Sequence, residues 1–210
     1  MDYIIWDFNG TILDDVKAGI DSVNKLLRDR ELKEILSVDE YRGVFRFPIK
    51  GYYERIGFDF NVEPYEVIAP LWVEEYLKNV KESTLFCDVI EALEYFKKKG
   101  IKQVILSATE RNMLLGQLSE LGIFDYFEEI MGLDNIHAHS KEGLARDWRS
   151  GHKGERALLI GDTDHDACVA AAIDAECALV CRGHQSKEYL EGTGTKIFDN
   201  LEQLRMDLFD

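Results

Sequence analysis

Six short apolar runs punctuate the chain: YIIW (3–6), QVIL (103–106), EIM (129–131), ALLI (157–160), ALVC (178–181) and KIF (196–198). Each has the length of a strand rather than a helix, and longer segments of helical periodicity lie between most of them. Parallel strands need a crossover connection, usually a helix. The alternation therefore predicts an α/β fold, a doubly wound parallel sheet with helices on both faces. The helical segments carry their own end signals: DVIEALEYFKKKG closes on a lysine cluster and Gly100, which suits the negative end of a helix dipole and a left-handed cap. RNMLLGQLSELG repeats the pattern and stops at Gly122.

Residues 15–83 break this rhythm. They contain no convincing strand, but VKAGIDSVNKLLRDREL, IKGYYERIGF and PYEVIAPLWVEEYLKNV all have helical patterning. A connection this long is not a loop, and it reads as an all-helical cap domain inserted after the first strand. The core is then discontinuous, formed by 1–14 and 84–210. A length of 210 residues suits one domain plus an insertion better than two full domains.

The 25 basic and 40 acidic residues give a formal charge of -15, which repels a phosphate backbone, so neither nucleic acid nor an anionic membrane surface is an expected partner. An anionic substrate would need a local cation or a metal ion to overcome that field. No run approaches the roughly 18 apolar residues of a membrane span, and MDYIIWD lacks the basic leader and long apolar stretch of a signal peptide. Cys87, Cys168, Cys177 and Cys181 show no zinc-like spacing, so buried thiols in a reducing cytoplasm are expected, in a monomer or homodimer.

Three polar residues follow three of the apolar runs: Asp7 after YIIW, Ser107 after QVIL, and Asp162 after ALLI and Gly161. In a doubly wound sheet the carboxyl ends of the strands line one crevice, so residues far apart in the chain meet there. GDTDHD adds Asp164 and Asp166. Three carboxylates in five residues also suit an ordinary acidic helix start, but together with Asp7 they offer the oxygen ligands that Mg2+ takes. Lys141 opens a helix that Ser140 can cap, near the same crevice edge, where it can neutralise a phosphate. Ser107 and the backbone N–H groups of a helix beginning near Thr109 offer neutral donors to the same anion. His137, His139 and His165 lack a matching ligand spacing and read as loop or helix-start residues, with His165 at the edge of the site.

Asp7 in DFNGT, Ser107 in LSA, Lys141, and Asp162 with Asp166 in GDTDHD occur in the order found in the haloacid dehalogenase superfamily of phosphohydrolases, which the chain resembles. The helical insertion lies where that family carries a cap, and the overall similarity is to phosphoglycolate phosphatases. The resemblance implies hydrolysis of a small phosphorylated metabolite. Asp7 would be the nucleophile, forming an aspartyl-phosphate, and Mg2+ would be held by Asp7, the main-chain carbonyl of Asn9, Asp162 and Asp166. Ser107 and Lys141 would hold the phosphoryl oxygens, with Thr11, Ala108, Arg46, Lys50 and Arg111 as further substrate contacts.

Asn9 departs from the family pattern, in which this position is usually a second aspartate that protonates the leaving oxygen and then activates water. An amide hydrogen-bonds but cannot cycle a proton near neutral pH, so catalytic assistance of about 10^2 to 10^4 is at stake. Asn9-Gly10 is also a turn dipeptide. Two alternatives follow from the substitution. One is phosphonate cleavage through a Schiff base on Lys50, as in phosphonoacetaldehyde hydrolases; the other is a protein that binds a phosphorylated ligand with little turnover.

Overall fold

The computed structural model describes residues 1–133 and 140–210; His137 and His139 lie outside the described residues. β1 (Tyr3–Trp6) leads into a two-stranded antiparallel ribbon formed by β2 (Leu13–Asp14) and β3 (Thr84–Leu85). Between the strands of that ribbon lie α1 (Val16–Arg28), α2 (Val38–Val44), α3 (Ile49–Arg55) and α4 (Tyr65–Asn79). The chain then alternates through α5 (Val89–Lys98), β4 (Lys102–Glu110), α6 (Arg111–Glu120), β5 (Glu129–Leu133), α7 (Lys141–Gly151), β6 (Ala157–Gly161) and α8 (Asp164–Ala172). It ends with β7 (Glu176–Val180), α9 (Lys187–Leu190), β8 (Lys196–Phe198) and α10 (Leu201–Leu208).

The main sheet has the order β5-β4-β1-β6-β7-β8, with every neighbouring pair parallel. From β1 the chain builds outward to β5 on one side, then returns to add β6, β7 and β8 on the other. The reversal opens a crevice between the carboxyl ends of β1 and β6, the usual ligand position in such sheets. The expected α/β fold with a helical cap is thus present.

β1 is apolar at every position because both of its faces are covered. Tyr3 and Ile5 pack with Trp148 of α7 and Val169 of α8. Ile4 and Trp6 point the other way, into a cluster with Phe96 of α5 and Leu118 of α6. The Trp6 indole N–H, buried in the sheet, donates to Gln103 Oε1 at 3.1 Å, and Gln103 in turn donates to the Leu93 carbonyl. Helices α1 to α4 form a third cluster around Val23, Leu27, Tyr53 and Ile68, while Trp72 of α4 packs against both this cluster and the core beneath.

Two element boundaries differ from the sequence expectation. β4 runs on to Glu110 and its pairing with β5 is irregular between Leu106 and Glu110, so the helix expected near Thr109 begins at Arg111. Glu110 caps it by accepting from the N–H groups of Asn112 and Met113. β7 starts at Glu176 because Glu176 and Cys177 pair with Leu158 and Leu159, leaving Cys181 just past the strand. The thiols are also not buried as expected: Cys87 and Cys168 are exposed, and Cys177 and Cys181 only half-buried. Among the described residues no helix is long and apolar enough to cross a membrane.

Phe96 is 1% exposed and packs edge-on against Trp6 and Phe209. Phe96→Ala should lower stability by about 3–5 kcal/mol through lost burial and a cavity, read as a fall in the urea midpoint. Val62→Ala, at an exposed position, should change it by less than about 0.5 kcal/mol. Equal midpoints for the two variants would contradict the packing described for α5.

Candidate active site

Asp7 and Asp162 follow the two strands that flank the crevice, and the Asp7 N–H donates to the Ile160 carbonyl at 2.9 Å. After Asp7 the chain makes one tight turn in which the N–H groups of Ile12 and Leu13 both donate to the Phe8 carbonyl at 2.9 Å. Gly10 permits this turn with φ of +74°; a Cβ there would run into the Asp162 carboxylate and the His184 ring, so the position needs glycine twice over.

Asp7, Asp162 and Asp166 are all buried, and each offers a carboxylate oxygen within 4.8 Å of the others. Asp166, in the first turn of α8, accepts on Oδ2 from the N–H groups of Asp162 and Thr163 at 3.2 and 3.0 Å and from the Thr163 hydroxyl at 2.7 Å. Its Oδ1 accepts from Lys141 Nζ at 2.5 Å, and Lys141 also donates to Asp7. Lys141 is the first residue of α7, and Ser140 caps that helix by accepting from the Gly143 N–H. Asp164 turns away, accepting from Gln185 and Tyr189. The acidic run thus supplies both a helix start and the cluster, through different residues.

One ammonium bridges two of the three buried carboxylates, Asp7 and Asp166. Burial pushes the Asp7 carboxyl up to about 6, with Lys141 opposing and Asp166 adding to the rise. Burial likewise holds Asp162 well above the carboxylate range. Burial works against ionisation of Asp166 too, but Lys141 and the Thr163 hydrogen bonds keep it below its ordinary value. Lys141 is held protonated against its own desolvation by Asp166 and Asp7. Clustered hard oxygen donors short of positive charge are the donor set a divalent cation fits.

The Asn9 amide is fully engaged. Its Nδ2 donates to Asp15 Oδ2 at 2.9 Å and to the Tyr76 hydroxyl at 2.7 Å, while Oδ1 accepts from the Thr109 hydroxyl at 2.9 Å. Asp15 also accepts from Tyr76, the Gly10 N–H and His184 Nε2. His184 Nδ1 lies 2.9 Å from the Tyr41 hydroxyl, and the His184 backbone N–H donates to Asp162 Oδ2 at 2.6 Å. Burial opposes charge on this imidazole, but Asp15, aided by Asp162 and Asp7, pushes it up to about 9. Asp15 is correspondingly held below its ordinary value against burial by the His184 charge and hydrogen bond.

Sequence reasoning missed Asp15, Tyr76 and His184. The rule that selected Asp7 and Asp162 reaches Arg182 after ALVC and stops two residues short of His184, which lies in the turn beyond β7. Tyr76 carries no local signal, because only the packing of α4 over the crevice brings its hydroxyl to Asn9.

These groups border one cavity of about 340 Å³. Asp7, Lys141, Asp162 and Asp166 with the Asp15–His184 pair form its charged part, Ala108 and Thr109 line it from β4 and Met113 from α6, and helices α1 to α4 with the segments between them contribute most of the rest. Ser107 is buried beside it, with its hydroxyl donating to the Thr109 hydroxyl and accepting from the Thr109 N–H. Thr11 is also buried, its hydroxyl 3.5 Å from Asp162 Oδ1. His165 lines the edge, stacked on Phe47 with centroids 4.7 Å apart, and burial lowers its pKa.

The three expected cationic contacts do not line the cavity. Arg46 donates to the Arg42 and Phe45 carbonyls and lies over the Tyr189 ring at 3.4 Å. Lys50 is exposed, with its ammonium 5.2 Å from the Phe60 ring centroid. Arg111 is exposed at the start of α6. In each case the backbone passes near the crevice while the long side chain finds a partner or solvent outside it.

The phosphoglycolate phosphatase of Mesorhizobium japonicum is 25% identical over 218 residues, covering 98% of this chain and 93% of that protein. The phosphoglycolate phosphatase of Aquifex aeolicus is 27% identical over 192 residues, covering 88% and 86%. Among solved structures, a predicted phosphatase from Clostridium acetobutylicum superposes with a TM-score of 0.78 at 21% identity, covering 99% of this chain and 97% of that one. Protein Tyrosine Kinase A of Mycobacterium tuberculosis superposes with a TM-score of 0.83 at 18% identity, covering 100% and 98%; at these identities the structural likeness concerns the fold alone. The family model for haloacid dehalogenase-like hydrolases matches residues 4–180, a span that holds Asp7, Asn9, Ser107, Lys141, Asp162 and Asp166, and the chain belongs to that family.

Proposed function

We propose that this protein is a Mg2+-dependent phosphatase of the cytoplasm that removes the phosphoryl group from a small phosphorylated metabolite through an aspartyl-phosphate on Asp7. The observation that carries the reading is the convergence of Asp7, Asp162, Asp166 and Lys141 at the carboxyl ends of adjacent strands, bordering one cavity. The relatives named phosphoglycolate phosphatase support a phosphate monoester as the substrate class.

In this reading an Asp7 carboxylate oxygen attacks phosphorus, dividing one displacement into two. Lys141, now shared between Asp7 and Asp166, turns its ammonium to a phosphoryl oxygen, and the Ser107 and Thr109 hydroxyls offer neutral donors on the β4 side. Asp7, Asp162, the Asn9 main-chain carbonyl and Asp166, the last directly or through water, would hold Mg2+, which neutralises charge between nucleophile and phosphate. Residues 15–83 act as the cap, excluding water during the first step.

Asn9 sets the limits of this machine. Its amide spans Asp15, Tyr76 and Thr109 and has no proton to give to a departing oxygen. An aspartate there would sit within hydrogen-bonding distance of the Asp15 carboxylate. Two such groups cannot both ionise cheaply, so the introduced carboxyl would retain a proton, as a general acid requires.

Phosphate release from acetyl phosphate in Mg2+ tests the reading, since acetate departs without a proton donor. Asp7→Asn should reduce it to background, and parental rate in that variant would remove the aspartyl-phosphate. Chelation should stop turnover and added Mg2+ restore it, with Asp162→Asn lowering both the rate and the apparent Mg2+ affinity; a chelator-insensitive rate would exclude the metal. Asn9→Asp should raise the first step, read as pre-steady-state release of the leaving group, by up to ~10^2 to 10^4 for an alkyl ester such as glycerol phosphate and much less for acetyl phosphate, while the later dephosphorylation gains a base in both cases. Equal first-step gains on both substrates would show that Asn9 does not limit leaving-group departure.

A further inference from the structure

The cavity has two chemically distinct parts. The core contributes Asp7, Asp162, Asp166, Lys141 and His184; of the lining residues contributed by 15–83, only Asp15 carries a charge, and it is paired with His184. Phe45, Phe47, Tyr52, Tyr53, Trp72 and Val73 dominate that wall. The rings are fixed against one another: Phe45 lies 5.1 Å from Tyr52 by centroids, Tyr52 lies 5.6 Å from Tyr53, and Trp72 stacks on Tyr76 at 4.8 Å. Burial raises the phenols of Tyr52 and Tyr53 above the ordinary tyrosine range, so the wall stays neutral.

Nearby cations are committed elsewhere. Arg42 donates to the carbonyls of Arg182 and Gly183, Arg182 pairs with Asp88, and Arg46 and Lys50 face away as described. His184 is paired with Asp15. Among the described residues, nothing on the cap side of the cavity can neutralise a second anionic group on a substrate. A carboxylate placed there would exchange its hydration for a neutral donor at most, such as the buried and unpartnered Tyr52 hydroxyl, and would gain no cation, whereas an aromatic ring would be buried against rings.

Resting on the phosphatase reading for the phosphoryl end, we infer that the substrate is an aryl phosphate monoester, whose neutral aromatic ring occupies the cap-side wall. The Asn9 site suits the same class. An Asp7 oxygen bonds to phosphorus as the phosphorus–oxygen bond to the ring breaks, and the electron pair leaves with a phenolate, which takes a proton from solvent water. In the second step a water oxygen bonds to phosphorus, the bond to Asp7 breaks, the carboxylate is restored, and the proton lost from that water neutralises the hydroxide left by protonation of the phenolate. The products are a phenol and hydrogen phosphate, with one water consumed. A phenolate departs without the proton donor that an alkoxide needs. Wall and catalytic residue therefore select one substrate class by separate physical means. The cavity lies at the small end of the roughly 300–1,000 Å³ common for ligand sites, which suits a phosphoryl group and a single ring rather than a larger conjugate.

Two inert isosteres separate recognition from leaving-group chemistry. Benzylphosphonate replaces the bridging oxygen of phenyl phosphate by carbon, and 3-phosphonopropionate does the same for phosphoglycolate. Calorimetric titration of the full chain in Mg2+ should give benzylphosphonate a Kd lower by about tenfold or more, given the cost of burying an unpaired carboxylate. Val73→Arg, on a partly exposed face of α4, places a cation in the wall and should shrink or invert that ratio. Equal or tighter binding of the carboxylate by the unaltered protein would overturn the inference, whatever the variant does. A ratio unmoved by Val73→Arg, in a variant with the parental circular dichroism spectrum, would overturn the placement of the leaving group against α4. Because binding is read without turnover, failure of the phosphatase reading shows separately, as absence of acetyl phosphate hydrolysis.

Discussion

Lys141 holds the site together. Its ammonium, buried between Asp7 and Asp166, joins the end of β1 to the start of α8 from the first turn of α7, so three elements distant in sequence share one charge. Without it, Asp7 and Asp166 would face each other unpaired in a desolvated crevice, and burial raises the carboxyls of Asp7 and Asp162 even with Lys141 and the His184 ring nearby. The cluster of hard oxygen donors is the donor set a divalent cation fits.

A second buried network lies beside the first and gives Asn9 its context. The amide donates toward Asp15, whose carboxylate also collects Tyr76, the Gly10 N–H and the charged His184 ring. Asn9 therefore supports the tight turn after Asp7 and ties it to α4 of the cap through Tyr76. Turn preference alone understates the residue, since its side chain makes one contact to the sheet, through Thr109, and another to the cap. His184 serves both networks: its ring pairs with Asp15, and its backbone N–H fixes the Asp162 carboxylate.

Much of the fold was legible in the sequence because buried parallel strands must be apolar on both faces, leaving runs such as YIIW and KIF that coincide with β1 and β8. The edges of β4 and β7 were less legible, because pairing with β5 and β6 extends them past the apolar run. Asp7, Asp162 and Lys141 stood out because each lies at the end of a strand or the start of a helix. Tyr76 did not, being an aromatic residue on a helix like several others. Arg46, Lys50 and Arg111 were attractive by charge and distance along the chain, yet a long side chain can turn either way from the same backbone position.

The sequence by itself determined the strands, the inserted helices, the order of the charged motifs and the absence of a carboxylate at position 9, since these depend on local periodicity and residue chemistry. Only the tertiary structure decided that β1 and β6 are neighbours, that Asn9 is spent on Asp15, Tyr76 and Thr109, and that the cap presents rings rather than cations to the cavity. Strand order, side-chain direction and the partner of a buried charge are settled by competition among contacts across the whole chain, and no window of sequence contains that competition.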